Sequence, residues 1–505
     1  MAPYSGHLLT LILFLPTLAA LLLLFFPAHW ASFFRWAALI ASLVPFVLTL
    51  SLWAQFDPGQ SGFQFVEKVD WYAALRSTYV VGVDGISLPM IILTTLLIPL
   101  AILASFSIKE RVKAFMILFL LLETGMLGVF MTLDLLMFFV FWEVGLVPMY
   151  FLIAQWGSSN RNYASLKFIL YTMGGSLGLL LAIQMIGVVT GTFDMQTLFQ
   201  TWPTAKATFL GLGTPTIKAI AFWAFVVAFA IKVPIWPFHT WLPDAHTEAP
   251  TGGSMILAGV LLKLGAYGFL RLVLPLYPVE SARYAGILAG LAVVAIILGA
   301  LAAWGQTDFK RLVAYSSINH MGFVVLGIAA AAWAANIKDT TTAAIAVNGA
   351  VLQMFNHGLS AAGMFFLVGV IYERTHTRNL TEYGGLYARL PIYGSILLFT
   401  AMGSLGLPGL GGFVSEFLVV RGAWPVFSLA TGLAMIGLFF TGAYVLKALK
   451  QVLQGPVNKH WQGNMAEINL REIVVIAPLM VLMLVIGLWP TFLLDMINRA
   501  AMLWY

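Results

Sequence analysis

Two lysines stand where a membrane-type helix should carry none. The stretch AFWAFVVAFAIKVPIWPFHTWLPDAHTEAPTGGSMILAGVLLKLG, from Ala221 to Gly265, holds one in each of its apolar runs, Lys232 and Lys263. Pro234 and Pro237 follow Lys232 closely. A proline inside a helix removes a backbone donor and clashes with the preceding turn, and in lipid the freed carbonyls need a partner or a water-lined cavity. A charge beside such a break marks a site through which something polar moves. An ammonium is disfavoured in an apolar site and restored by a nearby carboxylate, so a Lys–Glu pair at low dielectric is a switch for a proton. The alternative for Lys263 is a side chain snorkelling to an interface.

Acids and histidines of matching depth are present. Glu143 lies mid-span in LDLLMFFVFWEVGLVPMYFLI, with Pro148 a turn later, and Glu123 lies in FMILFLLLETGMLGVF. A carboxyl at this depth is protonated or paired with a cation; Glu123 is either a second proton site or a structural hydrogen-bond donor. His320 follows Lys310 by about 15 Å of helix, near mid-membrane. His357 has Asn356 and Ser360 around it. Histidine titrates near neutrality and relays protons, although two histidines on different helices could instead hold a haem or simply be hydrogen-bonded in the core. His239, Asp244, His246 and Glu248 are of metal-ligating types, but Pro237, Pro243 and Pro250 favour a rigid loop gating the broken helix. Glu416 follows LPGLGGF, a second break.

The elements that must position these groups follow from composition. Of 505 residues, 61% are hydrophobic and 9% charged, and the mean hydropathy is +0.94. A soluble domain has about 25% charged residues. The expected fold class is all-α, a polytopic membrane protein of about 14 transmembrane helices, starting near His7, Ala31, Asp84, Ala114, Leu133, Tyr163, Ile217, Gly253, Arg283, Leu312, Thr342, Pro391, Val426 and Ile473. The first run reads as a retained helix, since no basic region precedes it. The polar loop from Gln55 to Val83 reads as a hairpin or other irregular extramembrane element. Each break with its ionisable group, Lys232 or Glu416, falls at a corresponding place in two sets of five spans. Two inverted five-helix repeats, each with one broken helix, are expected. The resulting domains are 1–110 (helices 1–3 and an extracytoplasmic loop), 111–276 and 277–455 (the repeats, helices 4–8 and 9–13), and 456–505 (an amphipathic segment and helix 14). Lys and Arg concentrate in the loops that follow odd-numbered spans, which places both termini outside the cytoplasm. The chain has no cysteine, hence no disulfide and no Cys-ligated cluster, and no GxGxxG or Walker loop, which excludes nucleotide chemistry.

FWEVGLVPMYFLI, AIKVPIWPFHTWLPDAHTEAPTGGSMILAGVLLKLGAYG, DFKRLVAYSSINHMGF, NHGLSAAGMFFLVGVIYERTHTR and LPGLGGFVSEF resemble the antiporter-like membrane subunits of respiratory complex I, along nearly the whole chain. The resemblance implies a proton path of Glu143, Lys232, Lys263 and Glu416 bridged by His320 and His357, with Glu123, His239 and His246 as possible additions. Sister L and N subunits, and related Mrp antiporter subunits, usually carry lysine where Glu416 stands here. The resemblance further implies no cofactor in this chain, with flavin, iron–sulfur clusters and quinone in other subunits of a proton-pumping NADH:quinone oxidoreductase. It implies L-type and N-type neighbours, a lipid bilayer and no nucleic acid as surroundings, and the bacterial cytoplasmic (inner) membrane as location. The competing readings are a Mrp-type cation/proton antiporter subunit, a haem-bearing electron-transfer subunit and an inert scaffold.

Overall fold

In lipid, only structures that satisfy every backbone donor and acceptor internally can span, and the apolar runs of this chain fold accordingly. The computed structural model describes residues 6–60, 62–206, 208, 212–458, 461 and 465–502. The N-terminal part consists of α1 (Leu8–Leu23), α2 (Ala31–Gln55), the strands β1 (Gln64–Tyr72) and β2 (Ser77–Val83), and α3 (Ser87–Ala104). Then come α4 (Val112–Met131), α5 (Leu135–Val144), α6 (Leu146–Trp156), α7 (Arg161–Thr190), the short α8 (Met195–Thr201), α9 (Thr214–Lys232) and α10 (Trp241–Glu248). A long irregular helix α11 spans Thr251–Leu276. The second part holds α12 (Pro278–Trp304), α13 (Phe309–Asn336), α14 (Thr340–Thr375), α15 (Pro391–Leu405), α16 (Gly411–Ala423), α17 (Ser428–Leu453), α18 (Leu470–Leu488) and α19 (Thr491–Met502).

Among the described residues, 12 helices are long and apolar enough to cross a membrane, α5 and α6 counting as one; α1 and α15 are shorter apolar helices. The protein is an all-α polytopic membrane protein with one small hairpin. β1 and β2 pair antiparallel, Lys68 opposite Val80 and Asp70 opposite Thr78, as the polar loop suggested. α11 and α14 are buried through their apolar centres, whereas α2, α7 and α17 present apolar side chains such as Val47, Leu181 and Phe439 outward, the pattern of helices facing lipid. Small residues let the inner helices touch. A Cβ at Gly349 of α14 would stand 2.5 Å from the backbone nitrogen of Val419 in α16, and one at Gly265 of α11 would stand 2.8 Å from the Phe229 carbonyl of α9, so these pairs meet backbone to backbone.

Two expectations are corrected. The segment expected as a rigid loop after the first break is mostly the helix α10, because only Pro243 lies inside it and that proline occupies the first turn, where no intrahelical donor is lost. The C-terminal part holds a second helix, α19, after α18; Trp489 takes an extended-side conformation (φ −140°, ψ 74°) before Pro490 and ends the span.

Candidate functional site

The first break is closed by its own side chains. α9 ends at Lys232, and Ile235 turns back so that its amide donates to the Ala230 carbonyl at 2.8 Å. Indole Nε1 of Trp241 donates to the Ile231 carbonyl at 2.9 Å, filling an acceptor that the helix no longer satisfies. The peptide before Pro237 is cis. The second break runs from Gly406 to Leu410, with Gly406 and Gly409 at φ of 83° and 94°, conformations that favour glycine. A Cβ at Gly406 would come within 3.0 Å of Oε2 of Glu416: the carboxyl folds back over the break. Asn356 Nδ2 donates to the Gly411 carbonyl at 2.7 Å and to Ser415 Oγ at 3.1 Å.

Between the breaks lies a line of buried polar groups. Lys263 is fully buried in α11. The first five residues of a π-helical turn, Leu257–Leu261, precede it, and the widened turn leaves the Ala258 carbonyl to accept from Lys263 Nζ at 2.5 Å. The same Nζ meets Nδ1 of His357 at 2.7 Å. The rings of His357 and His320 lie 5.6 Å apart, centre to centre. His320 Nδ1 meets Glu416 Oε1 at 2.9 Å, and its Nε2 lies 3.3 Å from the Tyr444 hydroxyl. Gln353 Nε2 donates to Glu416 Oε1 at 3.2 Å while its Oε1 accepts from Ser415 Oγ at 2.5 Å. Lys263, His357, His320 and Glu416, from α11, α14, α13 and α16, thus form one chain whose widest step is the gap between the two imidazoles. Three of the four imidazole nitrogens are engaged by lysine, carboxyl and hydroxyl, which leaves the pair unlike a set of haem ligands.

The first half is looser. Lys232 Nζ has no hydrogen-bond partner and sits 5.0 Å over the ring of Trp142. Glu143 stands next in sequence to that tryptophan, and its Oε1 likewise lacks a partner; its field reaches Lys232. Glu143 is half-buried, contrary to the fully buried depth its apolar surroundings suggest. It lies on a flank with the exposed Val140, Val144 and Val147, just before the interruption at Gly145. Glu123 is fully buried and neither oxygen has a partner, so the hydrogen-bond role considered for it finds no acceptor or donor among the described residues.

The candidate metal group disperses. Asp244 is held by Lys167 at 2.7 Å and Arg311 at 3.2 Å. Glu248 Oε2 accepts from the Asn160 amide at 2.9 Å. His239 stacks on Trp236 at 3.8 Å, and His246 stacks on Phe365 at 4.4 Å with neither ring nitrogen partnered. Among the described residues, no three His, Cys, Asp or Glu side chains converge to hold a metal ion. Sequence reasoning missed Lys310, Gln353 and Tyr444. Lys310 reads as a loop residue beside Asp308, yet it is buried and donates to the Ala249 carbonyl that ends α10. Gln353 shares a helix face with His357 one turn on, a spacing visible in the sequence.

A buried Lys–His–His–Glu chain strung between two interrupted helices of a polytopic bundle defines the class, an antiporter-like membrane subunit. Residues 132–442 match the family model described as NADH:quinone oxidoreductase/Mrp antiporter, TM. The NADH-quinone oxidoreductase subunit M of Rhodobacter capsulatus is 43% identical over 92% of this chain and 89% of its own length. The NADH-ubiquinone oxidoreductase chain 4 of Marchantia polymorpha is 38% identical over 99% of this chain and 97% of its own. A chain of the respiratory complex I of Thermus thermophilus with bound NADH superposes with a TM-score of 0.85 at 27% identity, covering 98% of this chain and 99% of that one. The chain belongs to the NADH-quinone oxidoreductase subunit M family.

Proposed function

We propose that this chain carries protons across the membrane as one arm of a quinone-reducing complex, with no redox centre of its own, and that Lys263, His357, His320 and Glu416 are its central wire. The observation that carries the reading is the buried chain itself. An ammonium at 2.7 Å from an imidazole nitrogen, and a second imidazole at 2.9 Å from a carboxyl, are donor and acceptor pairs at proton-transfer distance. Each member is costly in lipid. A proton from the cytoplasmic side loads Lys232 or Lys263, passes Nδ1 of His357, crosses to His320 by a ring flip or one water, reaches Glu416 and leaves outward. Glu143 biases the lysine that receives the proton. Glu123, His239 and His246 are reserve sites next to this path.

The finer architecture belongs to the same proposal: 14 spans, α1 and α15–α16 included; residues 111–276 and 277–455 as inverted repeats around the two breaks, flanked by 1–110 and 456–505; both termini outside the cytoplasm of a bacterial inner membrane. L-type and N-type subunits are the neighbours. The partly exposed Glu143 on an apolar flank, with a buried Oε1 that has no partner, supports a neighbouring subunit there, since lipid would leave the carboxyl unsolvated. Flavin, iron–sulfur clusters and quinone sit in other subunits.

The test is Glu143→Gln and Lys263→Met in the intact complex in sealed vesicles, with assembly checked on a native gel. Quinone reductase activity and proton uptake are recorded together. Loss of both, with assembly kept, is the expected result; unchanged pumping by either variant removes that residue from the path. The second reading is a Mrp-type cation/proton antiporter, favoured only by the shared family model; strict sodium dependence of transport would select it.

A further inference from the structure

Away from the relay, a cavity of about 960 Å³ opens on the face where α3 begins and α11 ends. Its lining includes the exposed Gln196, Gln200 and Lys338 and the buried Ser281, Asp84 and Arg271. The lining is mixed, with apolar residues such as Phe199, Leu274 and Val279 beside an ion pair. Arg271 Nη2 donates to Asp84 Oδ1 at 2.5 Å, with both side chains almost fully buried. Asp84 Oδ1 also accepts the amides of Ile86 and Ser87 at 3.1 and 3.0 Å, so it is a fixed anion at the start of α3. Below the pair, Arg271 Nε donates to the Tyr267 hydroxyl at 3.0 Å, and that hydroxyl donates to the Phe130 carbonyl at 3.1 Å. Phe63 of the loop before β1 covers the guanidinium at 4.8 Å.

The spacing of this plug along α11 matters. Lys263, Tyr267 and Arg271 recur every four residues, close to one helical face, with Arg271 inside the π turn Phe269–Val273, so Lys263 stands no more than about 12 Å from Arg271 along the helix. We infer that the cavity is a water-filled outward vestibule leading toward Lys263, and that Arg271, pinned by Asp84 and Tyr267, is the charge barrier that keeps vestibule protons from reaching that lysine. A guanidinium stays charged at any working pH, and a fixed cation at a constriction repels hydronium. Asp84, already accepting three hydrogen bonds, orients the cation. Arg271 is thus a selectivity residue for the transport, one that lies outside the Lys–His–His–Glu wire. The assignment of the vestibule as outward rests on the orientation proposed above.

The chain is free of cysteine, so single thiols report cleanly on it. Ser281→Cys and Gln200→Cys are placed in the intact complex in sealed vesicles of known sidedness and treated with a membrane-impermeant thiol reagent. Labelling of both from the extracytoplasmic side is expected. No labelling of Ser281→Cys from that side overturns the vestibule, and labelling from the cytoplasmic side alone overturns its outward assignment while leaving the relay untouched. Arg271→Gln is then tested for passive proton entry under an imposed pH gradient, without NADH. An increase of about tenfold is expected, the equivalent of removing roughly 1.4 kcal/mol of barrier, with Arg271→Lys restoring tightness. Leak unchanged in assembled Arg271→Gln overturns the barrier role. If Arg271→Gln fails to assemble, Tyr267→Phe, which frees one side of the guanidinium, is read by the same leak assay, with a rise expected and an unchanged leak again overturning the proposal. Since the leak is read without turnover, its outcome is separate from whether Lys263 carries pumped protons.

Discussion

His320 is the residue on which the proposed wire turns. It is the only described side chain that touches Glu416 on one ring nitrogen and Tyr444 on the other, so His320→Ala removes a step that no neighbour can take over. Proton uptake per NADH oxidised should fall to the level of a complex lacking this subunit's contribution, measured with a pH-sensitive dye in sealed vesicles. Gln353→Leu keeps the volume but deletes the hydrogen bond to Glu416 and the one accepted from Ser415, which retains other partners on its own helix. About 1 kcal/mol is lost, so pumping should slow by about fivefold while assembly on native gels stays normal. Histidines 320 and 357, the two lysines and Glu416 were legible from sequence because an ionisable residue in an apolar run is rare. Lys310 was not, since its burial comes from the carbonyl of Ala249, far away in the chain. The half-exposed position of Glu143 was equally hidden: an apolar run marks depth in the membrane but says nothing about which side of a helix meets the bundle.

Helix interruptions decide where those side chains stand. Proline and glycine announced the breaks after Lys232 and before Glu416, and both are present. The interruption at Gly145 and the π turns of α11 at Leu257–Leu261 and Phe269–Val273 carry weaker letters, single glycines at 145, 259 and 268, and their form follows packing among neighbours: at Gly259 a Cβ would meet Leu97 of α3 at 2.5 Å and the Gly358 carbonyl of α14 at 3.6 Å. Gly265→Val tests the α9–α11 contact that holds Lys232 near Lys263, because the added carbons would overlap the Phe229 carbonyl and the Lys232 Cβ at 2.9 Å. A cost of about 1–3 kcal/mol is expected, seen as a lower midpoint in thermal unfolding of the complex together with weaker pumping. Asp134 caps α5 by accepting the Leu136 and Met137 amides at 3.0 and 2.9 Å, and it also holds Ser77 and Thr78 of β2 at 3.0 Å each. Asp134→Ala should cost about 2 kcal/mol and lower the same midpoint, since the helix that carries Glu143 loses both its cap and its tie to the hairpin.

Across the whole molecule the two halves differ in how tightly they are wired. A run of polar groups leads from Lys263, at the end of the first half, through the second to Glu416 with a single gap between the imidazoles, whereas Lys232 Nζ and Glu143 Oε1 of the first have no hydrogen-bond partner. A subunit whose cargo is the proton should pump equally in sodium and in potassium media; uptake that vanishes without sodium would point to the Mrp-type reading. The surface of exposed apolar side chains on the outer helices was foreseeable from composition, whereas the cavity beside Arg271 was not, since it gathers residues from five separate stretches of the chain. One tie near the N-terminus bears on how such a bundle is made. Glu67 of β1 accepts the amides of Leu9 and Thr10 at 2.7 and 3.2 Å, and the Thr10 hydroxyl as well, so the free donors at the start of α1 are satisfied by a strand translated well after that helix has left the ribosome. Helix one therefore enters the bilayer with its leading end unfinished. That end is completed only when the hairpin arrives, and chains cut before Glu67 should leave it open to digestion by added protease.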